Sequence, residues 1–244
     1  MTSPFAHAAT PYAQSRPRYA DAALDALTRE LGLRPGDRVV DLGAGTGILS
    51  RQLAERGLRV TAVEPEASMR GDLSGITAVE GTAERTGLPH CCADAVVAGT
   101  AWHWFDAHLA TREVARLLAT PASGLGLLWN DYDESVEWVG TYARIASDRR
   151  SSSSPSARSG SWKESFDEVP GWEPLREARF PNPWPTTRQG LADRLLSSSV
   201  ISGLPPTGRA EALRELDALV RRFGLSEELE LPYVTSLYWT FPST

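Results

Sequence analysis

Lysine is almost missing from this chain. Lys163 is the only one, so the positive charge is nearly all arginine, and Schiff-base or lysine-nucleophile chemistry has little to work with. Cysteine is scarce too: Cys91 and Cys92 are neighbours, too close for a comfortable disulfide and without the spaced partners of a zinc site. They read as ordinary thiols in a reducing compartment, and no metal is expected. No like-charge block exceeds the pairs Arg149–Arg150 and Arg221–Arg222, and the net charge is −6. A surface that tracks a nucleic-acid backbone is therefore not expected. No window approaches the ~18 apolar residues of a membrane span. The opening MTSPFAHAATPYAQSRPRY lacks the apolar core of a signal peptide. The expectation is a cytoplasmic, soluble protein with no membrane partner.

What is present begins with VVDLGAGTG, residues 39–47, which places three glycines in five positions behind an apolar run and an aspartate. Glycines in a strand-to-helix turn let a ligand approach the backbone closely. A dinucleotide fingerprint would need a third glycine at 48, where Ile48 stands. Asp41 at the strand tip would repel a pyrophosphate and attract a cationic group beside an adenosine. Glu64, closing VTAVE, is placed to accept from both ribose hydroxyls.

Around this turn the chain alternates strands and helices. An amphipathic helix is expected over 21–31, strands over 38–42, 59–64, 76–80, 94–101 and 124–130, and helices over 46–56 and in HLATREVARLLA. The helix between the second and third strands should be stunted. Strands alternating with helices imply a parallel sheet covered on both faces, with ligands at the carboxyl ends of its strands. After Asn130 the pattern changes. Five of the eight tryptophans lie beyond it, with a serine-rich loop SDRRSSSSPSARSGS, a strand in PLREARF, helices in RQGLADRLLSSSVI and GRAEALRELDALVRRF, and a final strand in LPYVTSLYWTF. The serial division is 1–37 (N-terminal lid and first helix), 38–130 (cofactor-binding core), 131–174 (insertion) and 175–244 (lid helices and closing strands).

DLGAGTG, VTAVEPEASM, GTAERTGLP and DAVVAGTAWHWFD followed by LLWN together resemble the class I S-adenosylmethionine-dependent methyltransferases. Through YAQSRPRY, AWHWFD and ELPYVTSLYWTF the chain is most similar to the small-molecule group that includes trans-aconitate methyltransferases. The resemblance implies a Rossmann-like α/β fold: a seven-stranded, mostly parallel sheet with an antiparallel last strand, helices on both faces and a helical substrate lid. It implies S-adenosyl-L-methionine as cofactor and a small-molecule acceptor, with secondary metabolism as the expected setting. Gly43, Ala44 and Gly45 would lie along the methionine part, with Asp41 on its ammonium and Glu64 on the ribose. Ala83 and Glu84 would border the adenine, Thr100 would close the cofactor site, and Tyr12 and Arg16 would form the lid over it.

Aromatic faces attract cations, so Trp102 and Trp104 are candidates beside a sulfonium, although tryptophans after a strand more often serve packing. His103, with an ordinary pKa of about 6.5, is the candidate general base, or a residue that only fixes its loop. Asn130, Asp131 and Trp138 are placed to orient an acceptor, and Arg188 or Arg194 to meet an acidic group on it. TPASG before the fifth strand and the serine-rich insertion depart from the family pattern and leave the acceptor open. Methyl transfer to an oxygen, nitrogen or carboxylate is the leading function. Cyclisation or rearrangement without methylation, and a silent cofactor-binding module, are the alternatives.

Overall fold

A computed structural model describes residues 16–149 and 161–243; Tyr12 and most of the serine-rich run lie outside them. The strands are β1 (Arg38–Leu42), β2 (Arg59–Val63), β3 (Thr77–Val79), β4 (Ala95–Gly99), β5 (Gly124–Tyr132), β6 (Arg176–Pro181), β7 (Trp184–Thr187), β8 (Glu228–Leu231) and β9 (Tyr233–Thr240). The helices are α1 (Asp21–Glu30), α2 (Ile48–Glu55), α3 (Ala67–Arg70), α4 (Ala107–Leu117), α5 (Glu137–Ser147), α6 (Ser161–Asp167), α7 (Arg188–Leu196), α8 (Ser199–Ser202) and α9 (Pro206–Phe223). The chain forms two compact units, each discontinuous in sequence: one of residues 18–129, 155–180 and 235–244, the other of 1–17, 130–154 and 181–234.

The first unit is built on a seven-stranded sheet of order β3-β2-β1-β4-β5-β9-β6. β1 pairs in parallel with β2 and β4, β2 with β3, and β4 with β5, and the sheet as a whole is mostly parallel with an antiparallel strand. Side chains alternate across a strand, and here both sets are apolar, so both faces are buried. Val40, Leu42, Val96, Ala98, Leu125 and Leu127 face one core with Ala110, Val114 and Leu117 of α4. Val39, Ala95, Val97 and Leu128 face the other, with Leu24 and Leu27 of α1 and Leu49 and Leu53 of α2. The spacing of 110, 114 and 117 is one stripe of a 3.6-residue helix, and Asp106 caps that helix by accepting from the Leu109 backbone N–H at 3.0 Å. The helix after β2 is the four-residue α3, too short to hold itself without tertiary packing.

The second unit has its own core. Ala212, Leu216 and Leu219 of α9 form a buried stripe against Val139, Tyr142 and Ile145 of α5 and Leu191 and Leu195 of α7. Pro206 at the start of α9 uses a position whose N–H needs no partner, and Gly224 ends the helix in the left-handed conformation at φ 59°. β7 and β8 pair as an antiparallel ribbon, with Trp184 opposite Leu231 and Thr187 opposite Glu228. No helix among the described residues is long and apolar enough to cross a membrane.

Candidate active site

Three adjacent strands of the first unit end together. β1 and β2 run in register from Arg38↔Arg59 to Leu42↔Val63, and β4 lies beside β1 with Val97 opposite Asp41. The turn after β1, Glu64 after β2, and Thr100 after β4 therefore share the carboxyl edge of the sheet, where ligands bind in folds of this kind. The turn is anchored to β2: the Gly43 and Ala44 N–H groups both donate to the Val63 carbonyl, at 2.9 and 3.1 Å.

The three glycines have different tasks. A Cβ on Gly43 would lie 3.0 Å from both the Ala101 Cβ and the Phe105 ring, so this glycine serves close packing of protein on protein. Above Gly45, at φ 57°, a Cβ would meet only the Met69 sulfur, at an ordinary contact distance of 3.8 Å, so here it is the left-handed backbone and not crowding that asks for glycine. Gly47, at φ 82°, is the left-handed N-cap of α2, and a Cβ there would sit 2.4 Å from a Leu73 methyl. Gly47→Ala is accordingly expected to lower stability by about 1–3 kcal/mol, from backbone strain and overpacking together. A melting temperature unchanged from wild type would contradict this.

Two carboxylates flank the turn. Asp41 is buried, and its Oδ2 accepts from the Ser50 hydroxyl at 2.6 Å. Burial pushes its carboxyl up to about 7, against the pull of the Ser50 hydrogen bond and with a further push from the Glu64 charge. Glu64 is held at both oxygens: Oε2 accepts from the Gly45 N–H and Oε1 from the Glu66 N–H, each at 2.9 Å. Neither carboxylate has an ion-pair partner among the described residues. This set of acceptors, beside half-buried glycine backbone, fits a ligand with a positive group and a sugar diol. It does not fit a phosphate, which needs donors.

Several residues that hold this edge together were not singled out from sequence. Tyr19 is buried; its hydroxyl pairs with the Thr100 hydroxyl at 2.9 Å, and its backbone is clamped by Gln52, whose amide accepts from the Tyr19 N–H and donates to the Tyr19 carbonyl at 2.9 Å each. Thr100 itself has φ 55°, a left-handed conformation that a β-branched residue adopts only under constraint. Ser50 and Gln52 are polar residues on the buried face of an amphipathic helix, and that mismatch was the available signal.

The remaining candidates separate on geometry. Ala83 and Glu84 are the central pair of a turn closed by mutual backbone bonds between Thr82 and Arg85. Glu84 Oε1 accepts from the Asp106 N–H at 3.0 Å, so one carboxylate oxygen is committed to the start of α4. Trp102 is in the core, 1% exposed, edge-on to Phe105 at 5.6 Å, which corrects the expectation of an open aromatic face there. Trp104 is 48% exposed and tilts against His103 at 5.1 Å. His103 Nδ1 accepts, at a long 3.4 Å, from the indole N–H of Trp129, which itself stacks on Trp162 at 4.3 Å. In the second unit Arg16 is half-buried, and Asn130 donates to the Pro17 carbonyl and accepts from Asn182, both at 3.1 Å. The Asn130 amide thus ties chain segments together. Asp131 is half-buried at the end of β5, Trp138 packs against the second unit's core, and Arg188 donates to the Leu225 carbonyl.

The methyltransferase-domain family matches residues 40–121, from β1 to just past α4. A protein of Mycobacterium tuberculosis named as an uncharacterised methyltransferase is 36% identical over 255 residues, spanning 96% of this chain and 94% of its own. The chain belongs to the S-adenosylmethionine-dependent methyltransferases. A methyltransferase-like protein of Schizosaccharomyces pombe is 28% identical over 93% of this chain and 91% of its own. Among solved structures, a protein assigned as a type II methyltransferase of Anaeromyxobacter dehalogenans superposes with a TM-score of 0.70, at 22% identity over 93% of this methyltransferase and 99% of that chain, a likeness of fold.

Proposed function

We propose that this methyltransferase moves the methyl group of S-adenosylmethionine to an oxygen or nitrogen of a small metabolite. The observation that carries the reading is the pair of carboxylates without an ion-pair partner among the described residues, Asp41 and Glu64, at the Gly45 turn. Asp41 would hold the cofactor's ammonium, Glu64 its ribose, and the 82–85 turn would border its adenine. The cofactor supplies a methyl carbon already activated by positive sulfur, so the protein needs no nucleophile of its own. Alignment for in-line displacement in a water-poor site can contribute up to roughly 7–11 kcal/mol.

A small acceptor, as opposed to a nucleic acid, is favoured by how arginine is used. Arg18, Arg56, Arg116, Arg149 and Arg222 each face a carboxylate, which leaves those cations little to offer a phosphate backbone. His103 is read as a positioning residue. Its Nδ1 accepts from the Trp129 indole N–H at 3.4 Å, a contact that orients the ring. His103→Gln is expected to retain more than about a tenth of turnover, with the pH limb of kcat unmoved; loss of that limb would restore the general base.

The reading is tested by mass spectrometry of the purified protein with S-adenosylmethionine and candidate acceptors. S-adenosylhomocysteine that forms only when an acceptor is present is the expected result. Methylthioadenosine formed without one would overturn it.

A further inference from the structure

The crossover from β3 to β4, residues 80–94, has to pass β2 and β1 to reach its place in the first unit's sheet, yet it carries no helix. Crossover helices are what normally cover the faces of such a sheet. Here a cavity of about 490 Å³ lies at the amino ends of β1, β2 and β3, with Leu88 and Cys92 of that crossover in its wall. This is within the range of small-molecule sites, about 300–1,000 Å³. β1 climbs roughly 13 Å from Arg38 to Leu42, so the cavity sits a strand's length from the carboxyl edge that holds Gly45 and Glu64. All of it belongs to one compact unit.

The charges at this end of the sheet do not balance. Arg38 and Arg59 both line the cavity, and as register partners at the starts of β1 and β2 they point to the same face. Asp94, just before β4, is taken by Arg38 alone: Nε donates to Oδ2 at 3.1 Å, Nη2 to Oδ1 at 2.7 Å, and the Arg38 backbone N–H to Oδ2 at 2.8 Å. The Arg38 guanidinium accordingly holds the Asp94 carboxyl below the usual carboxylate range. Arg59 has no ion pair among the described residues; its Nε donates to the Gly36 carbonyl, and its two terminal nitrogens are left over. No acid lines the cavity. Two hydroxyls do, those of Thr61 and Thr77, register partners on β2 and β3, and neither is hydrogen-bonded within the described residues. Ile76 and Leu88 add apolar wall.

We propose that this cavity is a second ligand site, separate from the methyl-donor edge, and that it takes a small apolar carboxylic acid: the carboxylate on Arg59 with the Thr61 and Thr77 hydroxyls, the apolar body against Ile76 and Leu88. The inference goes beyond methyl transfer and needs neither the cofactor nor the acceptor. A guanidinium presents a planar fork that matches one carboxylate in bidentate fashion. Since Asp94 already answers Arg38, one cation is left to neutralise. A monoanion does so, whereas a phosphate dianion would leave one charge over. An exposed ion pair is worth little by itself, so a bare anion would be held weakly. Affinity therefore calls for an apolar body that leaves water for the cavity wall.

The test uses the full chain saturated with S-adenosylhomocysteine, so that the methyl-donor edge is filled. Octanoate and 4-phenylbutyrate are the probes, octanamide and 4-phenylbutanamide their neutral counterparts, and calorimetry follows binding. Wild type is expected to take up one acid per chain and to bind the amides at least about tenfold more weakly. Arg59→Met should weaken acid binding about tenfold, and Arg59→Lys, which keeps the charge but not the fork, should fall between. Arg179→Met removes another exposed cation, from β6 at the opposite edge of the sheet, and should bind the acids as wild type does. Cys92 reports the location: in Cys91→Ser it is the sole thiol, and either acid should slow its alkylation by iodoacetamide. The proposal fails if wild type binds no acid at tens of millimolar, or binds acids no better than amides. It fails equally if Arg59→Met and Arg179→Met lose the same affinity, or if a bound acid leaves the Cys92 rate unmoved. The acid–amide comparison is made on wild type, so it holds even where an Arg59 variant folds poorly, and none of these outcomes bears on methyl transfer.

Discussion

Asp41→Asn is expected to make the ligand-free protein more stable at pH 8 while weakening S-adenosylmethionine binding by about a hundredfold. Both effects come from one buried charge. In the unfolded chain Asp41 ionises near 4, whereas in the fold burial raises its carboxyl to about 7, with Glu64 adding to the rise and Ser50 opposing it. A group whose pKa is raised by folding contributes stability that is whole below its unfolded value and is lost as pH climbs through its folded value. Above pH 7 the fold therefore bears an ionised, buried carboxylate that asparagine would not have. Three pKa units set a ceiling of roughly 4 kcal/mol on the gain. Asparagine keeps an oxygen to accept from the Ser50 hydroxyl, so the packing need not change. The cofactor's ammonium, in contrast, loses a charge-assisted partner worth about 1.5–3 kcal/mol. In wild type the affinity should also fall about tenfold per unit as pH drops below 7, since the carboxylate must be ionised to hold a cation, and in Asp41→Asn it should be flat. Melting curves at pH 5 and 8 with calorimetric titrations across the same range decide it. An asparagine variant that melts lower at pH 8, or binds as tightly as wild type, would show that Asp41 is an ordinary structural acid.

The parts of this fold that were legible in sequence are those whose signal is local. DLGAGTG marks its own turn, β1 is bounded as read, and the unbroken apolar run 95–98 can only be an inner strand. What escaped depends on partners distant in the chain. β7 and β8 are four residues each, half-buried or exposed at every position but Leu231, and find each other across 40 intervening residues, so neither carries a hydrophobic period strong enough to announce itself. α5 mixes β-branched Val139 and Thr141 with Gly140, which lowers its propensity; tertiary packing of Val139, Tyr142 and Ile145 makes it a helix. At the candidate site, residues 41, 45 and 64 could be singled out from sequence because an acid, a glycine and an acid at strand ends each suggest a contact to a ligand. The burial that shifts Asp41, the Trp129 indole that occupies His103, and the core that encloses Trp102 are properties of assembled strands. Arg194 shows the same boundary: a cation on a helix reads as a possible acid binder, but its burial between the Tyr132 ring and the Tyr233 hydroxyl is visible only in the fold.

Glu64→Ala should weaken S-adenosylmethionine binding at least about tenfold and also lower stability, by about 1–3 kcal/mol. The carboxylate has two employments. Facing a ligand it would accept from the ribose hydroxyls, and facing the protein it accepts from the Gly45 and Glu66 N–H groups. Alanine removes the first and leaves the second pair of donors without an acceptor, so the stretch of backbone at Gly45 loses its tether. Glu64→Gln separates these contributions. Its carbonyl can keep one of the two bonds, while its NH2 meets the other donor, so its loss should lie between wild type and alanine. Glutamine also removes the negative neighbour that helps to raise Asp41, so the pH at which cofactor affinity begins to fall should move downward from about 7. That displacement belongs to the coupled pair alone, because a glutamate that merely braced the turn would weaken binding equally at every pH. Calorimetric titration of both variants between pH 5 and 8 reads the two quantities together. An unchanged affinity in Glu64→Ala would remove the ribose assignment, and an unmoved midpoint in Glu64→Gln would uncouple the two acids.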